Sequence, residues 1–311
     1  MLRKTFRAVR LGDGRDGRWA AELRRLWPVA RQWLTEEGRT PAGVERARRL
    51  FDAHMPELLP LFERLREGLD QPDGGTFLTH AALRPFFAAC SQTGRPGLLV
   101  RNYDFEPEAT EGLIAVSDYL RPVLGMSDAG WGLLDGMNDA GLAVSLTFGG
   151  RFVHGPGFAV VLVLRYLLET CASVDQALAR LRTLPVSMPQ NLTLVDHEQA
   201  VTVRVGPDIA PIVAPDACAT NHQHLPVSEE QERATRTRER LAAVREAGPD
   251  PAAMLKPPLY QTAYADFLGT VYTAEYRPAE GRVVYHWPQE TWEQSFAAFT
   301  PGERTVRLGL D

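Results

Sequence analysis

Apolar positions recur at helical spacing through the first third of the chain and at strand spacing through most of the remainder, and the change falls near residue 90. Residues 19–34 and 41–69 set apolar side chains at helical intervals among arginines and glutamates, and Pro41 suits a first helical turn opened by Thr40. Their arginine-rich faces read as solvated surface. QPDGGT at 71–76 reads as a loop. Residues 86–105, FFAACSQTGRPGLLVRNYDF, read as a β-hairpin: residues 94–97 carry the Gly/Pro turn chemistry, and Leu98, Leu99 and Val100 supply a strand. With the turn centred between Arg95 and Pro96, Gln92 falls opposite Leu99 and Cys90 opposite Arg101.

Further strands are expected at 113–116, 131–135 and 142–148, the last two joined by GMNDAG at 136–141, with a glycine-bearing segment at 149–157. Two helices follow, 158–172 apolar almost all round and 174–184 amphipathic with Ser173 as its cap. Strands resume at 191–195 and 200–205, with 212–214 leading to Cys218, Thr220 and Asn221. A charged helix is expected over 228–246, then a hairpin of 270–276 with 281–287, then one more packed aromatic segment and a strand. The order of helices, strands, two helices and strands argues for a layered α+β domain. No βαβ alternation, GxGxxG or P-loop is present.

The 311 residues allow one large domain or two smaller ones. A formal net charge of −5 gives no encouragement to nucleic acid or an anionic membrane as partner. Three scattered cysteines, Cys90, Cys171 and Cys218, make neither a disulfide framework nor a CxxC knuckle, and point to a reducing, cytoplasmic compartment. The N-terminus is basic without an apolar run of signal-peptide length behind it, so no export signal is expected. The most apolar segment, 158–168, is short and contains Arg165, which suits a buried helix better than a membrane span.

Cys90 is the candidate for chemistry. Small residues, Ala88 and Ala89, precede it, and the hairpin sets the Arg101 guanidinium beside its thiol, which favours thiolate. Asp104 lies three residues past Arg101, on the other face of an unbroken strand, and reaches the thiol only if the chain bends. Cys171 reads as a structural thiol inside the helical pair. Cys218, His222 and His224 lack a fourth ligand at metal-site spacing, so no metal is expected. Asn138, Asp139 and Glu198 read as turn residues.

An ordered series of motifs carries a family resemblance: Cys90, then RNYD at 101–104, GMNDAGLAVSLT at 136–147, NLTLVD at 191–196, ATNH at 219–222 and TVYTAEY at 270–276. In this order the chain resembles the cysteine N-terminal nucleophile (Ntn) hydrolases related to isopenicillin N acyltransferase, and more distantly the choloylglycine hydrolases and acid ceramidase. The likeness spans residues 90–300; the leader resembles the family only in length and helical character. It implies a four-layer αββα fold and self-processing between Ala89 and Cys90, dividing the chain into a leader at 1–89, released or still associated, and a catalytic domain at 90–311. It also implies that Arg101 and Asp104 orient the nucleophile and its amine, and that the Asn221 amide helps form the oxyanion hole. Thr147 stands where bile salt hydrolases have a second oxyanion asparagine. Arg238 fits the late arginine after the Thr-Asn segment, with Arg236 nearly as good.

The chemistry agrees with that implication. Cleavage before Cys90 would expose an α-amine with a reference pKa near ~8, able to act as base toward its own thiol without a histidine. The expected activity is cleavage or exchange of a linear, non-peptide C–N amide through a thioester on Cys90, with no cofactor. Expected partners are a small-molecule amide or acyl substrate, the cleaved leader and another copy of the chain. Phe148, Phe152, Tyr264 and Phe267 either line an acyl pocket or belong to the core. Two other readings stay open: a catalytically silent small-molecule binding module on the same fold, and a redox-sensing thiol at Cys90.

Overall fold

The strand-period sequence after residue 90 builds two sheets. A computed structural model describes residues 2–87, 89–266 and 268–310. In it the strands are β1 (Arg3–Gly12), β2 (Ala89–Arg95), β3 (Leu98–Asp104), β4 (Leu113–Asp118), β5 (Pro122–Asp128), β6 (Gly132–Asn138), β7 (Ala143–Phe148), β8 (Gln190–Val195), β9 (Ala200–Gly206), β10 (Ile209–Val213), β11 (Cys218–Ala219), β12 (Thr270–Arg277), β13 (Arg282–Trp287), β14 (Glu290–Ser295) and β15 (Gly302–Arg307). The helices are α1 (Arg18–Ala30), α2 (Pro41–His54), α3 (Leu59–Leu69), α4 (Gly74–Leu78), α5 (Val160–Thr170), α6 (Val174–Leu181), α7 (Glu229–Thr235), α8 (Thr237–Ala247) and α9 (Pro251–Met254).

One sheet runs β10-β9-β8-β7-β6-β5-β4-β1-β15 and the other β11-β2-β3-β12-β13-β14. All pairings are antiparallel except β1 with β4. The sheets face each other, β2 and β3 lying over β7 and β8, while α5 covers the far side of β5, β6 and β7 and α8 and α9 cover the far side of β2, β3 and β12. This is the four-layer αββα arrangement. On β6, Asp135 turns toward the second sheet and its neighbour Gly136 toward α5. Gly132 shows how close that helix lies, since a Cβ there would come within 2.8 Å of Val161.

Several elements depart from the sequence expectation. The leader's helices form, but Pro56 divides 41–69 into α2 and α3, and 71–76, expected as a loop, ends in α4. Thr40 caps α2 as expected, accepting from the Gly43 amide at 3.1 Å. The first ten-residue strand was not legible. Only Phe6, Ala8 and Leu11 of β1 are buried, and arginines and a lysine fill positions around them, so the strand lacks the apolar alternation that would have marked it within a leader expected to be helical. β1 nevertheless sits inside the nine-stranded sheet, between β4 and β15. β5 was missed too. The 228–246 helix breaks at Arg236, whose φ of 51° is left-handed, into α7 and α8. The helix expected over 158–172 is the buried α5, Val160–Thr170, in which Arg165 pairs with Glu169, and no helix of the described residues is long and apolar enough to cross a membrane.

The β2–β3 hairpin forms with a register two residues away from the expected one. Its turn is Pro96–Gly97, Gly97 taking φ 78° as the second central residue of a tight turn requires, so Arg95 pairs with Leu98 and Cys90 with Tyr103. A slip of two preserves facing because strand side chains repeat every two residues. Arg101, now opposite Gln92, still shares a face with Cys90 and reaches it diagonally.

Candidate active site

Cys90 is the second residue of β2, with no exposed surface, and its side chain points between the sheets. Arg101 Nη2 donates to Cys90 Sγ at 3.1 Å. The other arm of the guanidinium, Nη1, donates to Asp135 Oδ2 at 2.6 Å and to the Leu134 carbonyl at 3.2 Å. The rings of Tyr103 and Tyr272 flank it at 4.9 and 5.7 Å. Tyr272 donates to Asp135 Oδ2 at 2.6 Å, Tyr276 donates to Oδ1, and Tyr285 lies 3.1 Å from the Tyr276 hydroxyl. The three tyrosines share one face because 272 and 276 are four apart on β12 and Tyr285 pairs with Ala274 between them.

The main chain of Cys90 is held from the opposite face of the hairpin. Its N–H donates to Asn221 Oδ1 at 2.9 Å, and its carbonyl accepts from Arg240 Nη1 at 2.7 Å. Arg240 Nη2 also donates to Asn221 Oδ1 at 2.6 Å, and Nη1 reaches Ser91 Oγ at 2.9 Å and lies 3.5 Å from Asp104 Oδ2. Asp104 does lie on the face away from the sulfur, as strand alternation required. Its carboxylate accepts from Thr270 Oγ1 at 2.7 Å and Gln261 Nε2 at 2.8 Å, and it reaches the Cys90 main chain through Arg240. One arginine therefore faces the sulfur and another the backbone of the same residue.

Burial pushes the Cys90 thiol up from its ordinary value; the charges of Arg101 and Arg240 and the Asp104 backbone pull it down, and the Asp104 carboxylate pushes it up. The expected gain in thiolate from Arg101 is outweighed by burial in this closed site. Burial also raises Asp104, against the opposing charge of Arg240. For Arg101 burial favours loss of charge, but Tyr272, Cys90 and Asp135 more than offset it and the pKa rises.

The structure brings Cys90, Arg101, Asp104 and Asn221 together, sets Thr147 behind the Thr-Asn segment and leaves Arg238 on the surface. Thr147 uses its hydroxyl to hold the Thr-Asn segment, donating to the Thr220 carbonyl at 2.8 Å and accepting from Asn191 Nδ2 at 3.0 Å. Arg238 is half exposed and pairs with Glu229 and Glu232, while Arg236 pairs with Glu239 on the surface. The arginine of this segment that reaches Cys90 is Arg240. On α8 the buried face is Thr237, Arg240 and Val244, at spacings of three and four, and that periodicity was the signal a motif count overlooked. Asp135 was also overlooked; a lone acid inside an apolar strand was the mark it left.

Of the aromatic candidates, Phe148 is buried and its carbonyl accepts from Asn221 Nδ2 at 3.4 Å. Phe152 is exposed and packs with Phe148 and Phe87 at ring distances of 5.5 and 4.8 Å. Tyr264 donates to the Thr270 carbonyl at 2.8 Å, and Phe267 and Ala88 lie outside the described residues. Cys218 faces Thr93, and His222 faces Thr237. Asn138 forms its turn and also caps α5, donating to the carbonyls of Leu168 and Cys171 at 2.8 and 2.7 Å.

A cleft opens beside Tyr103. Its walls include Trp33 and Phe86 from before residue 90 and Phe105, Glu111 and Asp128 from after it. Burial raises the carboxyls of Glu111 and Asp128, each well above the ordinary range.

Comparison with known proteins gives the following. Among solved structures, the chain is similar to a mutant of conjugated bile acid hydrolase from Clostridium perfringens (12% identity, 71% of this chain and 97% of that one, TM-score 0.47). It is also similar to a Caenorhabditis elegans ortholog of N-acylethanolamine-hydrolyzing acid amidase (17%, 66% and 98%, TM-score 0.44) and to penicillin V acylase from Agrobacterium tumefaciens (11%, 70% and 82%, TM-score 0.38). No curated protein matches. The family model of acyl-coenzyme A:6-aminopenicillanic acid acyl-transferase matches residues 90–292, well over half of the chain, beginning at Cys90. The chain belongs to that acyl-transferase family.

Proposed function

We propose that Cys90 is the nucleophile of a self-processing amidase or acyltransferase acting on a linear, non-peptide C–N amide. The observation that carries this reading is the double hold on one residue: Arg101 on its sulfur, and Asn221 and Arg240 on its amide nitrogen and carbonyl. In the first reaction the Cys90 sulfur adds to the Ala89 carbonyl, its proton passing to the nitrogen as the Ala89–Cys90 C–N bond breaks. The leader is then a thioester on sulfur, and water hydrolyses it to the Ala89 carboxylate and a free thiol. The new α-amine keeps the place of the Cys90 N–H, beside Asn221.

In turnover that amine takes the thiol proton as sulfur attacks the substrate carbonyl, and returns it to the leaving amine. Water completes hydrolysis; an amine acceptor completes acyl transfer. Asn221 supplies an oxyanion donor, Asp104 and Arg240 orient the amine, and Arg101 stabilises sulfur as charge develops on it. We place the substrate in the cleft beside Tyr103. After the cut, β1 keeps the leader attached through its two neighbouring strands. The buried sulfur of the uncut chain offers no surface to an oxidant, which weighs against the redox reading.

The test is acyl capture. An activated acyl ester offered to the processed protein, followed by peptide mapping, should add the acyl mass to the peptide that begins at Cys90. Acylation elsewhere, with the Cys90 peptide unmodified, would reject the assignment.

A further inference from the structure

Asp135 belongs to β6, in the sheet opposite Cys90, yet Arg101 ties its carboxylate to the Cys90 sulfur. Its carboxylate is fully buried and takes Arg101 Nη1 and the Tyr272 hydroxyl on Oδ2 and the Tyr276 hydroxyl on Oδ1. The guanidinium is planar, so fixing Nη1 fixes the direction of Nη2, which lies 3.1 Å from Cys90 Sγ. Arg101 Nε is buried and has no hydrogen-bond partner, so it does not help set that direction. The remaining restraints are the Leu134 carbonyl and Tyr272 hydroxyl on Nη1 and the flanking rings of Tyr103 and Tyr272. Leu134 is the chain neighbour of Asp135, so both strong acceptors come from one point of β6.

We infer that Asp135 is a positioning residue for the reaction, aiming Arg101 at the Cys90 sulfur from the opposing sheet and holding the spacing between the sheets at the reacting atoms. The inference rests on the reading of Cys90 as the self-processing nucleophile. A carboxylate serving only to neutralise a buried arginine would need no particular geometry toward the sulfur. Here three tyrosine hydroxyls lock it in place, directly or through one another, as precise aim requires.

The charged and titratable groups that bear on the result are Arg101, Tyr272, Tyr276 and Tyr285 around Asp135, and Arg101, Tyr103, Asp104 and Arg240 around Cys90. The experiment follows processing at the Ala89–Cys90 bond across pH in wild type, Asp135→Asn, Arg101→Gln and the double variant. Tyr276→Phe, which keeps the carboxylate and removes one hydroxyl, serves if Asp135→Asn does not fold. Asp135→Asn is expected to slow processing about 10- to 100-fold, and Tyr276→Phe to slow it less. The double variant should be no slower than Arg101→Gln alone, since both changes remove one interaction. The pH of half-maximal rate should move in Asp135→Asn but not in Ser145→Ala, a buried change on the neighbouring strand β7. Wild-type rates in Asp135→Asn or Tyr276→Phe, multiplicative losses in the double variant, or an unmoved pH profile would overturn the role of Asp135. A wild-type chain that never cuts would overturn the reading of Cys90 and this assignment with it.

Discussion

Arg240 and Arg101 divide the work at Cys90 by atom, one meeting the carbonyl and the other the sulfur. Asn221 ties the first of them to the amide, accepting from both the Cys90 N–H and Arg240. Asn221→Ala should leave the fold largely intact and slow turnover by on the order of 100-fold, the usual cost of one lost oxyanion donor; an unchanged kcat in steady-state assays would reject its role. At this scale the sequence showed the residues lying within motifs: Cys90, Arg101, Asp104 and Asn221. It did not show those whose importance comes from packing. Arg240 is marked only by the helical spacing of Thr237, Arg240 and Val244, and Asp135 only by being a lone acid in an apolar strand, and neither mark says what the side chain meets once the sheets stack.

At the scale of elements, the setting of Cys90 depends on a two-residue turn. Gly97 holds a left-handed φ of 78°, so Gly97→Val strains the turn that fixes which residue faces Cys90. The variant should lose about 1 kcal/mol or more of stability, read as a lower denaturant midpoint, and should process more slowly; equal stability would show that the turn does not set the register. The expected hairpin was correct in kind and wrong by two residues. Turn position within GRPG is a matter of backbone dihedrals that composition does not rank, whereas facing survived because the period of a strand is two. β1 escaped for a different reason, its three buried residues being too few to outweigh four basic ones.

The whole molecule is a sandwich in which residues from before Cys90 complete the sheet formed by residues after it. β1 pairs with β4 and β15, so the pieces of a cut chain should co-migrate on native size exclusion and separate in denaturant. Glu111 and Asp128 give the assembly a pH dependence. Burial raises both, so the folded state binds their protons more tightly than the unfolded chain does. That stabilisation is full below the ordinary carboxylate range and is lost as pH rises through the elevated folded values. Melting temperature should therefore fall as pH rises from about 5 toward the alkaline side, and fall less steeply in Glu111→Gln; an identical slope in the variant would show that Glu111 does not contribute.

The most direct test of the central claim is intact mass measurement of the purified protein under denaturing conditions, with Cys90→Ala beside it. Two fragments meeting between Ala89 and Cys90 in wild type, and a single uncut chain in the variant, are the predicted result. An uncut wild type, or a variant cut at the same bond, would contradict self-processing by Cys90.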